Sequence, residues 1–208
     1  MQNTRTTSRT MSWFDELADG AQDYLIYARK LLATGSAIAS LVPSTRWTGR
    51  GMLRGIDFKN TRSVLELGAG TGPVTTELLK VCGENCRCLV VEQDHDFCNL
   101  LRDRFVQAEI IEGDALALDR ILDQHGISTI DHILCELPLG WLPPEMCDTF
   151  LRAVCRRLSP GGSFRQLSHL PGVHLGLYRR YFHSVQTNLV LRNIPPAACY
   201  LCEVPRVS

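Results

Sequence analysis

No window of this chain approaches the 18 or more consecutive apolar residues of a membrane-spanning helix, so no helical span is expected. Net charge is missing too. The 22 basic and 22 acidic residues cancel and no long block of one sign stands out, so bulk charge recommends no polyanionic partner. Residues 1–11 are polar and lack the apolar core of an export signal, which leads to the expectation of a reducing cytoplasm. Nine cysteines, an odd number, then need no disulfide framework. Cys82, Cys86 and Cys88 cluster, and Cys199 and Cys202 form one C-x-x-C. A metal site would require the two groups to meet, so the preferred reading is small buried residues that stay reduced, with no metal expected.

What is present fits one domain with a full hydrophobic core, preceded by an extension. Residues 1–11, rich in Thr, Ser and Arg, are expected to form a disordered tail. From Ser12, apolar residues recur at three- and four-residue spacing through Leu32, which predicts an amphipathic helix of about five turns with Ser12 as N-cap. Two readings stay open for it. It packs on the domain, or it dips into a lipid interface through Trp13, Phe14, Tyr24 and Tyr27. A second short helix carries Trp47, Met52 and Leu53, and Arg46, Arg50 and Arg54 share one of its faces. That face is either solvated or, with Ser44 and Thr45, a phosphate-binding surface.

The chain is organised around Val64-Leu65-Glu66-Leu67-Gly68-Ala69-Gly70-Thr71-Gly72-Pro73. An apolar run, three glycines at alternate positions and a helical pattern opening at Pro73 predict strand, tight turn and helix. Glycines allow positive φ and a close approach of ligand to backbone. The compact Gly-x-Gly-x-Gly spacing favours a cofactor smaller than a dinucleotide. Glu66 is expected at the lip of the turn, where a cationic amino group would sit. A second strand ends in Glu92-Gln93, with Glu92 placed for ribose hydroxyls, and a third ends at Gly113-Asp114-Ala115, with Asp114 placed for an exocyclic amine.

Helices are predicted over 75–80, 97–105, 118–124 and 144–158, with a turn at Ser159-Pro160-Gly161-Gly162 and strands over 130–135 and 163–167. A short helix over 178–182 and a closing antiparallel pair over 185–191 and 199–204 complete the pattern. The fold class is therefore α/β, a Rossmann-like, doubly wound and mostly parallel sheet with a C-terminal antiparallel hairpin and an N-terminal helical extension.

Glu-x-Gly-x-Gly-x-Gly, the acid ending strand two and Gly-Asp-Ala after strand three resemble the class I S-adenosylmethionine-dependent methyltransferases. The resemblance implies seven strands and S-adenosylmethionine as cofactor. It also implies a cofactor-binding set of Glu66, Gly68, Ala69, Gly70, Gly72, Glu92, Gln93, Gly113, Asp114, Ala115 and Cys135. Residues 12–58 then form a cap on the substrate or membrane side, and 59–208 the cofactor-binding domain.

The acceptor motif is Cys135-Glu136-Leu137-Pro138-Leu139-Gly140-Trp141. Base-modifying enzymes place Asn or Asp where Glu136 stands and an aromatic ring where Leu139 stands, which argues against a flipped base. Pro43-Ser44, Gly113-Asp114-Ala115 and Leu137-Pro138 instead resemble the bacterial phosphatidylethanolamine and ornithine-lipid N-methyltransferases. The implied acceptor is a lipid amino head group at the inner face of the membrane, approached peripherally, with no nucleic acid partner. Glu136, His169 and Tyr27 are the catalytic candidates, and Tyr24, Arg46, Leu137, Pro138, Trp141, Tyr178 and Arg179 the substrate-binding ones. Rival readings are an adenine methyltransferase of RNA or DNA, a small-molecule methyltransferase, and a scaffold that binds cofactor without turnover.

Overall fold

The computed structural model describes residues 44–170, 172–193 and 196–206. The tail, the helix predicted over 12–32 and its Tyr24 and Tyr27 lie outside the described residues.

Helix α1 (Arg46–Leu53) opens at Thr45, whose hydroxyl and Thr48 form a reciprocal capping box. It buries Thr48, Gly49, Met52 and Leu53. Its far end is held by an unusual donor: the buried Arg165 guanidinium donates to Met52 O and Arg54 O, both at 2.7 Å. Carbonyls left over at a helix C-terminus need such partners.

Strands and helices then alternate: β1 (Ser63–Leu67), α2 (Pro73–Val81), β2 (Arg87–Glu92), α3 (His95–Arg104), β3 (Glu109–Glu112), a 3₁₀ turn (Ala115–Ala117), α4 (Leu118–Gln124) and β4 (Ile130–Cys135). A second 3₁₀ turn (Leu139–Trp141), α5 (Pro144–Arg157), β5 (Leu158–Ser168), α6 (Leu175–Tyr178), β6 (Phe182–Val190) and β7 (Ala197–Pro205) follow. The seven strands form one sheet in the order β3-β2-β1-β4-β5-β7-β6. The first five run parallel, and β7 is antiparallel to both β5 and β6. Central strands covered on both faces read as unbroken apolar runs, and Val64 to Leu67 is buried throughout. Two core layers sandwich the sheet, one around Phe150, Phe164, Tyr178 and Tyr200, the other around Met52, Leu78, Leu134 and Cys199.

Strand order reverses between β1 and β4, whose last residues, Leu67 and Cys135, lie opposite each other. Ligands of doubly wound sheets bind at the carboxyl ends beside that reversal.

Two local expectations are corrected. Ser159 to Gly162 is not a turn between elements but a bulge inside β5, because Ile130 pairs with Leu158 while His132, two residues on, pairs with Ser163. Gly161 absorbs the distortion at φ 79°. The short helix lies at Leu175–Tyr178 rather than 178–182, since Phe182 already pairs with Pro205.

Candidate active site

The turn after β1 has all three glycines at positive φ: 79° at Gly68, 56° at Gly70 and 87° at Gly72. Each has its own reason. A Cβ on Gly72 would lie 2.5 Å from Phe105 and 2.8 Å from Leu101, so α3 closes against it. One on Gly68 would meet the Leu137 side chain at 3.0 Å, which brings the Leu137-Pro138 motif onto the turn. At Gly70 nothing among the described residues lies within 4 Å of such a Cβ.

Glu92 ends β2 and accepts from Gly70 N at 2.8 Å, Gln93 N at 2.8 Å and Asp94 N at 2.9 Å. It is therefore a strut that shapes the glycine turn as well as a candidate ribose acceptor. Gln93 beside it is exposed. Gly113 N donates to Glu92 O at 2.9 Å, which ties the end of β3 to the same rim. Asp114 is exposed, caps the 3₁₀ turn by accepting from Leu116 N at 2.9 Å, and stands beside buried Ala115.

Glu66 departs from its expected place at the lip. It is fully buried, with Thr75 Oγ1 donating to one oxygen at 2.9 Å. Glu136 follows β4, its N–H bonded to Leu67 O at 3.0 Å and its carboxyl accepting from Ser44 Oγ. The Oε1 atoms of both glutamates are enclosed and have no hydrogen-bond partner among the described residues. Burial pushes Glu66 up to about 7. Burial first, then the neighbouring Glu66 charge, raises Glu136 well above the usual carboxylate range. Two acids in one enclosed space cannot both ionise cheaply without a cation. The pair therefore holds a proton near neutral pH.

Gln166, which sequence reasoning missed, donates to Leu137 O at 2.8 Å and so fixes the acceptor motif against β5. Cys135 is buried at the end of β4, opposite Gln166. His169 follows β5 at the same end of the sheet; its Nδ1 is enclosed without a partner among the described residues, and burial lowers its pKa, favouring the neutral ring. Trp141 is 65% exposed on the second 3₁₀ turn.

The structure separates the remaining candidates. Tyr178 is 1% exposed, with its ring centroid 5.1 Å from Tyr200 and 6.3 Å from Phe164, so it packs the core and offers no surface to an acceptor. Arg179 next to it is exposed. Arg46 lies over the Trp47 ring at 5.0 Å, with Arg50 at 5.2 Å and Arg192 at 4.6 Å. Arg50 also pairs with Glu77 at 2.7 Å, so the arginine face is not a uniform solvated stripe. No signal in the sequence joined Arg192 to that helix.

A family model described as a methyltransferase domain matches residues 64–162. An ornithine lipid N-methyltransferase from Singulisphaera acidiphila is 40% identical over 185 residues, covering 88% of this chain and 96% of that protein. A probable ribosomal RNA small subunit methyltransferase A from Halobacterium salinarum is 42% identical over 62 residues, only 27% of this chain and 21% of that protein. Among solved structures, the N-methyltransferase NodS from Bradyrhizobium japonicum, in complex with S-adenosyl-L-homocysteine, has a TM-score of 0.62 at 15% identity, covering 77% of this chain and 86% of that chain. TrmN from Thermus thermophilus has a TM-score of 0.59 at 20% identity, covering 75% of this chain and 48% of that chain. At such identities these two speak for the fold alone.

Proposed function

Since the chain belongs to the class I S-adenosylmethionine-dependent methyltransferases, we propose that it methylates the amino head group of a lipid of the ornithine-lipid or phosphatidylethanolamine kind. The observation that carries the acceptor is the 40% identity to an ornithine lipid N-methyltransferase over 96% of that protein's length. The ribosomal RNA enzyme matches over 62 residues only, and Leu139, where a base-stacking ring would stand, is 2% exposed.

The residues present fit the cofactor. Gly70, with nothing among the described residues within 4 Å of a Cβ placed there, and the enclosed carboxyl oxygens of Glu66 and Glu136, each without a partner for Oε1 among those residues, suit a ligand that brings positive charge and approaches the main chain closely. When bound, S-adenosylmethionine supplies a methyl group on a positively charged sulfur. Gly68, Ala69 and Gly70 would hold its amino-acid end, Glu92 and Gln93 its ribose, and Gly113, Asp114 and Ala115 its adenine.

The chain's own contribution is alignment. Gln166 and the Gly68 contact hold Leu137 and Pro138 at the carboxyl end of β4, and such positioning accounts for most of the acceleration of an in-line displacement. The acceptor amine must also be neutral. Glu136, in its ionised form, is the proposed proton acceptor, with Ser44 orienting its carboxyl. His169, neutral and without a partner at Nδ1 among the described residues, is the second. Arg46 and Arg179 are proposed to meet the anionic part of the head group. Membrane contact is proposed to be peripheral; among the described residues no helix is long and apolar enough to cross a bilayer.

The test is a panel of vesicles containing ornithine lipid, phosphatidylethanolamine or phosphatidylcholine, beside a ribosomal RNA fragment and free ethanolamine, each given methyl-labelled cofactor. Label confined to an aminolipid supports the reading. Label in RNA or in the free amine overturns it.

A further inference from the structure

The glycine turn and its acids occupy the carboxyl ends of the strands. At the opposite end of β2, three sulfurs converge. Cys82 caps the C-terminus of α2, its N–H bonded to Leu78 O at 2.9 Å. Cys86 closes a tight turn with its N–H on Gly83 O at 3.0 Å, and Cys88 is the second residue of β2, paired with Val64. The three Sγ atoms all lie within 4.8 Å of one another, with Cys82 to Cys86 at 3.4 Å and Cys82 to Cys88 at 3.0 Å.

We propose that Cys82, Cys86 and Cys88 form a binding site for one thiophilic d¹⁰ cation, Zn(II) or Cu(I), that clips α2 to β2. Thiolate ligands select such ions, and Zn–S bonds of about 2.3 Å set sulfurs roughly 3.8 Å apart in a tetrahedron. The observed separations reach that with adjustments of under about 1 Å. Cys82 and Cys86 are half-buried while Cys88 is buried, so the cluster has one solvent-facing side for entry and for a water as fourth ligand on Zn(II). Cu(I) needs no fourth ligand.

Each ligand binds as a thiolate and gives its proton to solvent on binding.

Cys199 and Cys202 do not complete the site. They sit on β7, separated from β2 by β1, β4 and β5, and they face the two different core layers. The site thus stands on three local ligands. Glu92 lies four steps along the strand from Cys88, about 13 Å, so the cation would brace the helix that follows the glycine turn without touching the cofactor.

The experiment uses the full chain, purified reduced and metal-free, then titrated with zinc or with Cu(I) against a competing chelator. Metal is counted by mass spectrometry after gel filtration. The expected result is one ion per chain and a Tm rise of roughly 8 °C at a thousandfold excess over Kd. Cys86→Ser should lower affinity at least a hundredfold while leaving S-adenosylmethionine binding unchanged, which shows the variant is folded. Cys147→Ser should bind metal like the parent. Which of the two ions binds at one equivalent with the higher affinity identifies the metal. Failure of the parent to retain either ion, undiminished binding by Cys86→Ser, or a Cys82–Cys88 disulfide formed in place of metal binding overturns the proposal. The outcome is independent of the acceptor assignment.

Discussion

Glu66→Gln is expected to stabilise the cofactor-free protein at alkaline pH and to weaken cofactor binding. Glu66 has a folded-state pKa of about 7 against 4.5 in the unfolded chain, with burial as the leading cause. Between those values the native state holds a proton that the unfolded state has released. Stability therefore falls as pH rises through this window. Below pH 4.5 both states are protonated and the group costs nothing; above pH 7 the full cost is felt. At about 1.4 kcal/mol per pH unit, the window corresponds to about 3 kcal/mol. Gln imitates the protonated form. Its carbonyl can still accept from Thr75, and its amide can donate to the Glu136 carboxyl beside it. Urea unfolding of parent and variant at pH 5 and pH 8 should show the variant gaining about 1–3 kcal/mol relative to the parent across that interval. His132, lowered to about 4 by burial, and the carboxylates of Glu77, Asp119 and Asp131, lowered chiefly by their hydrogen-bond partners, titrate in both proteins and cancel in the difference. Loss of a carboxylate facing a cation should raise the Kd for S-adenosylmethionine by roughly tenfold to a hundredfold, read by calorimetry. A pH-independent stability difference would refute the enclosed carboxyl pair.

Glu92→Ala removes an acceptor shared by three backbone N–H groups, including that of Gly70, so calorimetry should find cofactor affinity down at least tenfold; unchanged affinity would remove both its structural and its ribose role. Gly72→Ala places a methyl group 2.5 Å from Phe105 at φ 87°, which should cost about 2–4 kcal/mol in urea unfolding, and a cost below about 0.5 kcal/mol would contradict the packing described. Deleting residues 1–32 should abolish sedimentation with aminolipid vesicles while sparing cofactor affinity; equal sedimentation of both chains would sink the proposed membrane role of that segment.

The parts of the site that rest on local chain geometry were legible in the sequence. Gly68 to Pro73, Glu92 and Asp114 each terminate a strand with a recognisable turn chemistry, and each lies at the carboxyl edge as expected. Contacts across the sheet were not legible. Ser44 reaches Glu136 over 92 residues, and Gln166 reaches Leu137 over 29, because β4 is threaded between β1 and β5. Its place before Gly68 marks Glu66 as a rim acid, but strand alternation turns it into the interior beneath Thr75. Tyr178 followed the same logic in reverse: its neighbours Arg179 and Arg180 are exposed, while the ring itself fills the space between Phe164 and Tyr200. Ser159-Pro160-Gly161-Gly162 carries every mark of a turn, yet pairing on both sides of it with β4 absorbs those residues as a bulge.

The most direct test of the acceptor assignment is mass spectrometry of lipids recovered from aminolipid vesicles after incubation with the purified chain and trideuteromethyl-labelled S-adenosylmethionine. Aminolipid species heavier by one or more labelled methyl groups are expected, with fragments that carry the label on the head-group nitrogen. Unlabelled lipid from a preparation that binds the cofactor would contradict it.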